Sequence, residues 1–351
     1  MTIWSTLREA LRGTRIDYTT APIGRAVIML AVPMVVEMAM ESIFAVADVF
    51  WVSHLGADAV ATVGLTESML TLIYTAAIGV SIGATALVAR RTGEQDREGA
   101  SRAAGQSILL GIAVSAAIAL TAGPNARALL RAMGATRQVV DTGGTFTRIM
   151  LTGNATVFLL FLLNAVFRGA GDAAIAMRVL ILGNALNIVL GPCFIFGIGP
   201  FPRLGVAGAA IATNIGRGTG VLYQIVTLAR ARGRISIGRR HLRPDWSTLA
   251  GVVRLSGSGT FQIFIGTASY VGLVRILSSF GSAALAGYTI GIRVNNLFVF
   301  WLWEIPLAWW LARRTPLGAR GVFIALTVAY SSLAVVSAVL FRRGTWKMKK
   351  I

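Results

Sequence analysis

The chain has 351 residues, 55% hydrophobic and 13% charged, with a mean hydropathy of +0.71. Soluble domains sit nearer about 45–50% apolar and about 25% charged, so the composition excludes an ordinary soluble domain and describes a polytopic membrane protein. A formal charge of +19 would suggest nucleic acid in a soluble protein, but here the cations lie at span ends and in short loops, the signature of positive-inside bias and an anionic leaflet rather than a nucleic-acid partner.

Residues 4–15 (WSTLREALRGTR) predict a short amphipathic helix on the cytoplasmic face. Apolar runs then predict spans at 27–51, 60–89, 104–123, 144–167, 176–200, 206–230, 250–279, 284–312 and 319–341. No signal peptide is read, because the first apolar run, near Ala26, lacks a small-residue cleavage site. The cationic N-terminus and the 90–102, 168–178 and 230–243 loops alternate onto one side, which puts the N-terminus inside. Arg127, Arg131 and Arg137 on the other side are a local exception.

The first span carries Glu37, Glu41 and Asp48, which spacings of four and seven place within a ~40° arc of one helix face. An ionised carboxylate at bilayer depth costs ~2.5–3.5 kcal/mol or more and ordinarily faces a cavity on an ion or proton path. The alternative is an acid paired with a cation to hold helices together, and no Arg or Lys is expected at matching depth in spans one to six. Crowded like charges in a low dielectric leave at least one acid protonated at neutral pH, which suits a relay. Asp48 therefore reads as the coupling carboxylate, Glu41 as a relay member and Glu37 as a hydrated vestibule or lobe-interface neighbour. Pro33 and Pro192 are helix kinkers; at Pro33 the bend is either static or coupled to protonation.

In the second span, GVSIG (79–83) matches the spacing of a nucleophile elbow. It lies within a predicted transmembrane helix, and His54 and His241 occupy loop positions, so the small residues read instead as a close-packing surface and the chain as no enzyme. The only lysines, Lys347, Lys349 and Lys350, rule out a nucleotide-binding P-loop. Further on, Asn164, Asn184 and Asn187 are neutral hydrogen-bonding groups inside spans: site-lining is expected for Asn164 and Asn187, helix–helix adhesion for Asn184. A lone Cys193 excludes an internal disulfide. Residues 231–249 read as a cytoplasmic linker between lobes, 1–230 and 250–351.

LGADAVATVGL (55–65) aligns with FGSAALAGYTI (280–290) at an offset of 225, and GVAGAAIAT (205–213) with GARGVFIAL (318–326) at 113. Two matches in the same order indicate a duplication, as in many transporters. The difference implies that the second half lacks about 112 residues, with a breakpoint near Phe300–Trp301. The fusion yields either a re-entrant hairpin, which keeps the tail Arg342–Lys350 inside, or one continuous helix, which local chemistry favours because LFVFWLW (297–303) lacks Gly, Pro and Asn.

Pro33 and Asp48 with VSHLG (52–56), NAVFRGAGD (164–172), NALNIVLGPCFIFGIGP (184–200), LGVAGAAIATNIGRG (204–218), AGYTIGIRVNN (286–296) and WLWEIPLAWWLARRTPLGARGVFIAL (301–326) together resemble the multidrug and toxic compound extrusion family. The resemblance implies an all-α two-lobe membrane transporter, here with a six-helix N-lobe and a truncated C-lobe of about three spans. It implies export of organic cations against inward H+ or Na+, with no cofactor and no metal. By the same resemblance Asp48, Asn164 and Asn187 form a cation site; Glu41 is read beside it, Glu37, Tyr74 and Phe146 are read along the substrate path or vestibule, and Glu304 is either a substrate-lobe acid or an orphan of the deletion. Gly191 stands where relatives often carry a second aspartate, and Phe146 where a tyrosine is frequent. Arg293, Asn295 and Asn296 share a span with Glu304, too far for a direct Arg293–Glu304 bridge. The expectation is a monomer in the bacterial inner membrane. An internally deleted, transport-inactive relative is the first alternative, and a lipid-linked oligosaccharide flippase of the related superfamily the second.

Overall fold

The computed structural model describes residues 3–13, 18, 20–230, 233–295, 302–317, 320–321, 324–325, 327–329, 331–332 and 335. The breakpoint, Asn296, most of the 319–341 span and the cationic tail lie outside the described residues, as does the Arg293 side chain. The described residues are helical almost throughout. The helices are α1 (Ile3–Arg12), α2 (Ile23–Ser53), α3 (Ala57–Gly93), α4 (Arg97–Ala122), α5 (Ala126–Ala132), α6 (Arg137–Thr152), α7 (Asn154–Gly169), α8 (Ala173–Phe196), α9 (Val206–Ala229), α10 (Trp246–Ser278), α11 (Ser282–Asn295) and α12 (Ile305–Arg314).

Among the described residues α2, α3, α4 and α8 are each long and apolar enough to cross a membrane alone, and the bent pair α6 and α7 is long and apolar enough only when taken together as one span. The expected 144–167 span is thus two helices meeting at 42°. Gly153 weakens the helix at the bend, and Asn154 fixes it by donating to the carbonyls of Ser115 at 3.0 Å and Leu151 at 2.7 Å. This span also starts earlier than expected, because the Thr136 side chain caps α6 at Val139 N. The fifth expected span ends at Phe196 rather than 200, where Gly197 adopts φ +74 and closes α8 left-handed. Both predicted kink prolines sit inside continuous helices, Pro33 in α2 and Pro192 in α8.

Two compact units result, 1–285 and 286–351. The first does not stop at residue 230, as the expected lobe boundary would have it, because α10 lies along α3. A Cβ on Gly79 would meet Thr260 Oγ1 at 1.8 Å, and one on Gly83 would meet Ser256 Oγ at 2.2 Å. GVSIG is thus the close-packing surface its small residues suggested. Nor is 231–249 a loose tether. Ile235 joins the core of α3, α4, α7, α8 and α9. The Gln106 amide donates to the carbonyls of His241 (2.9 Å) and Arg243 (2.7 Å) and accepts from Asp245 N. His241 is buried, with Nε2 3.1 Å from Glu98. Asp245 caps α10; hydrogen bonds from the Ser247 and Thr248 side chains hold its carboxyl down to about 2.

The loops expected on one side do meet there. The Tyr18 hydroxyl donates to Gly171 O at 3.2 Å, Arg234 approaches Asp172 at 3.5 Å, and Arg240 reaches Glu98 at 2.7 Å. The N-terminal helix α1 is tied in by Arg25–Glu9 at 2.7 Å and by Arg178 donating to Arg12 O.

Candidate functional site

On α2 the three carboxylates form a ladder. At 1.5 Å per residue Glu41 stands ~6 Å and Asp48 ~16 Å along the axis from Glu37. The opposite face, with Val35, Met38, Ile43 and Phe50 exposed, is apolar and suited to lipid. The acidic face packs mainly against α8, whose close approach to α9 decides what the ladder meets. A Cβ on Gly216 would lie 2.5 Å from Gly183 O, so the two backbones nearly touch. That contact brings Arg217, the next residue on α9, to the ladder.

Each lower rung has its own arginine. Arg168, in the last turn of α7, donates from Nη1 to Glu37 Oε2 at 2.9 Å. Arg217 donates from Nη2 to Glu41 Oε1 at 3.1 Å and from Nη1 to the Tyr74 hydroxyl on α3 at 3.0 Å. Its guanidinium also lies 5.4 Å from the Phe44 ring centre and 5.9 Å from that of Tyr74, within cation–π range. Glu67 on α3 is within electrostatic reach of the same cation. Asn184 donates to Glu41 Oε2 at 3.1 Å, so both carboxylate oxygens are engaged. Three helices therefore converge on Glu41 and Tyr74 through one arginine.

Several expectations change. Arg217 is a cation within the sixth span and only 6% exposed, contrary to the expected absence of one at that depth. The rule that flagged the acids, an ionisable group inside an apolar run, would have flagged Arg217 and Glu67 as well. Arg168, within NAVFRGAGD, is a partner of the acidic stripe that its loop-side position did not indicate. Glu37 is not a hydrated neighbour: it is 7% exposed, and its Oε1 is buried with no hydrogen-bond partner among the described residues. Like-charge crowding along the ladder is offset by two guanidinium groups. The asparagines also exchange parts in this geometry. Asn164 accepts from Gln224 at 2.6 Å and Asn187 donates to Thr213 at 2.8 Å, so both join neighbouring helices, while Asn184 reaches the stripe.

Asp48 is half-buried on the same face, one turn beyond Phe44. Near that level a Cβ on Gly191 would meet Trp51 Cδ1 at 3.8 Å, so tryptophan flanks the position where relatives often have a second acid. Tyr74 packs its ring 5.6 Å from Phe161. Phe146 is buried in α6 rather than lining an open vestibule. Glu304 belongs to the second unit, at the start of α12. No group of His, Cys, Asp and Glu among the described residues could hold a metal ion.

Residues 33–193 match the MatE family model. The chain is similar to the probable multidrug resistance protein NorM of Thermotoga maritima, 29% identical over 279 residues, covering 78% of this chain and 59% of that protein. It is 25% identical over 283 residues to an FAD transporter of Shewanella oneidensis, covering 80% and 62%. The chain thus spans about three fifths of the length of these curated relatives. In fold it resembles a solved MATE structure in complex with MaD3S, with a TM-score of 0.65 at 22% identity over 97% of this chain and 99% of that one.

Proposed function

We propose that this chain is a member of the multidrug and toxic compound extrusion family and a secondary active exporter of amphipathic organic cations, driven by inward proton flux. The observation that carries this reading is the Arg217 bridge between Glu41 and Tyr74. Ionised Glu41 holds Arg217, and α9 with it, against α2. A proton arriving from outside by way of Asp48 neutralises Glu41 and removes the charge that pairs with Arg217. The freed cation then opposes a bound organic cation and favours its release. The proton leaves inward through Glu37, whose Oε1 is open to accept it while Oε2 stays on Arg168. Cationic cargo is favoured because Glu37, Glu41, Asp48 and Glu67 outnumber Arg168 and Arg217 around the stripe. Sodium is the lesser candidate, since arginine donors already hold one oxygen of Glu37 and one of Glu41 and offset the charge a cation would need. The protein would work as a monomer in the bacterial inner membrane, with its N-terminus inside and Asn164 and Asn187 bracing the helices around Asp48.

A second reading has its own support. The chain covers about three fifths of its relatives' length, and its two repeat offsets differ by about 112 residues, so a C-lobe shortened internally leaves an inserted but transport-inactive protein. One experiment separates the two. Proteoliposomes of this chain are loaded with a fluorescent organic cation under an imposed pH gradient, beside a version with the missing block restored. Uptake by both, abolished by a protonophore, supports the exporter; uptake by the restored version alone supports the inactive form.

A further inference from the structure

At the end of the first unit where the cationic loops meet, a cavity of about 640 Å3 lies between the ends of α2, α3, α4 and α7 and the 233–235 strap. Arg97, Arg168 and Arg234 line it with Tyr18 and Thr92, and no carboxylate does. Glu37 and Asp172 pair with two of these arginines from outside the lining. Arg168 commits Nη1 to Glu37, leaving further N–H donors of its planar fork to face the cavity. Arg97 is exposed, and the buried Thr92 hydroxyl makes no hydrogen bond among the described residues. The α2 side of the wall is apolar, Ala26 and Leu30, and adjoins Val27, which is 56% exposed on the lipid-facing surface.

We propose that this cavity binds the phosphate of an anionic glycerolipid. Three guanidinium groups, a phenol and a threonine hydroxyl suit a phosphodiester and its glycerol, and the apolar α2 wall lets the acyl chains run out beside Val27. None of the three arginines has to give up its structural role for this. The lipid ties α2, α4, α7 and the strap together at the end away from Asp48. Only the assignment of that lipid to the inner leaflet rests on the orientation proposed above, and symmetric bilayers remove this dependence from the test.

The purified full chain is placed in phosphatidylcholine nanodiscs containing a minority of phosphatidylglycerol, and retained lipid is counted by native mass spectrometry after detergent extraction. The chain should retain phosphatidylglycerol over phosphatidylcholine. Arg97→Gln should reduce that retention about fivefold, the loss expected for one basic group at an anionic headgroup. Gly93→Leu keeps every charge but puts bulk on the cavity wall, where a Cβ meets nothing within 4 Å, and it should also reduce retention. Arg137→Gln, exposed at the far end of the unit, should change nothing. Unchanged retention in both cavity variants overturns the site. Displacement of the lipid by millimolar glycerol phosphate or inorganic phosphate overturns the lipid assignment in favour of a soluble phosphate.

Discussion

The side chain of Arg217 is 7% exposed and that of its partner Glu41 is 38%, and this asymmetry decides what each contributes. Removing Glu41 strands a buried cation, whereas removing Arg217 leaves a half-exposed carboxylate that water can reach. Glu41→Leu should therefore cost about 3 kcal/mol, near the low end for breaking a buried pair. Replacing both groups with apolar ones removes the stranded charge, so Glu41→Leu/Arg217→Met should recover more than half of that loss. Thermal unfolding in detergent reads both variants; a double variant no more stable than Glu41→Leu would show that the pair does not interact as described. The acids of this pairing were plain in the sequence because they interrupt an apolar run. Arg217 interrupts one just as clearly, within the LGVAGAAIATNIGRG motif. The choice of Asn184 over Asn187 as the stripe's partner could not be read at all, since both lie within one turn of α8 and only the contact with α9 separates them.

Small residues set the distances between helices, and their effect is position-specific. A Cβ on Gly216 would press into Gly183 O at 2.5 Å and the Asn187 side chain at 3.2 Å. One on Gly218, two residues on, meets only Thr156 Cγ2 at 3.6 Å, an ordinary contact. Gly216→Ala should push α8 from α9, weaken the Asn187–Thr213 bond and cost ~1–3 kcal/mol. Gly218→Ala should be neutral or stabilising, because alanine favours helix by about 1 kcal/mol over glycine. Equal unfolding temperatures for the two would contradict the close α8–α9 contact. GVSIG was legible as such a surface from its spacing alone. Which glycine of LGVAGAAIATNIGRG touches α8 was not, because spacing names a face and leaves its partner open.

For the whole molecule, the positions of α2, α3, α4, the α6–α7 pair and α8 follow from hydropathy, and the cationic loops fall together as charge alternation required; α9 fills the sixth expected span as a helix but is not among those apolar enough to cross alone. The exceptions have local causes: the bend at Gly153, the left-handed stop at Gly197 and the early cap at Thr136. The docking of 231–249 was hidden because its anchors, Gln106, Glu98 and Asp172, are ordinary polar residues whose partners lie more than sixty residues away. In the proposed mechanism α2 is the element through which protons and cargo communicate, with Asp48 as its outermost acid. That claim is tested most directly by pH-gradient-driven uptake of a fluorescent cation into proteoliposomes bearing Asp48→Asn, normalised to the amount of folded protein. Uptake should fall at least about tenfold, equivalent to ~1.4 kcal/mol of coupling; uptake equal to the parent chain would contradict the role of Asp48.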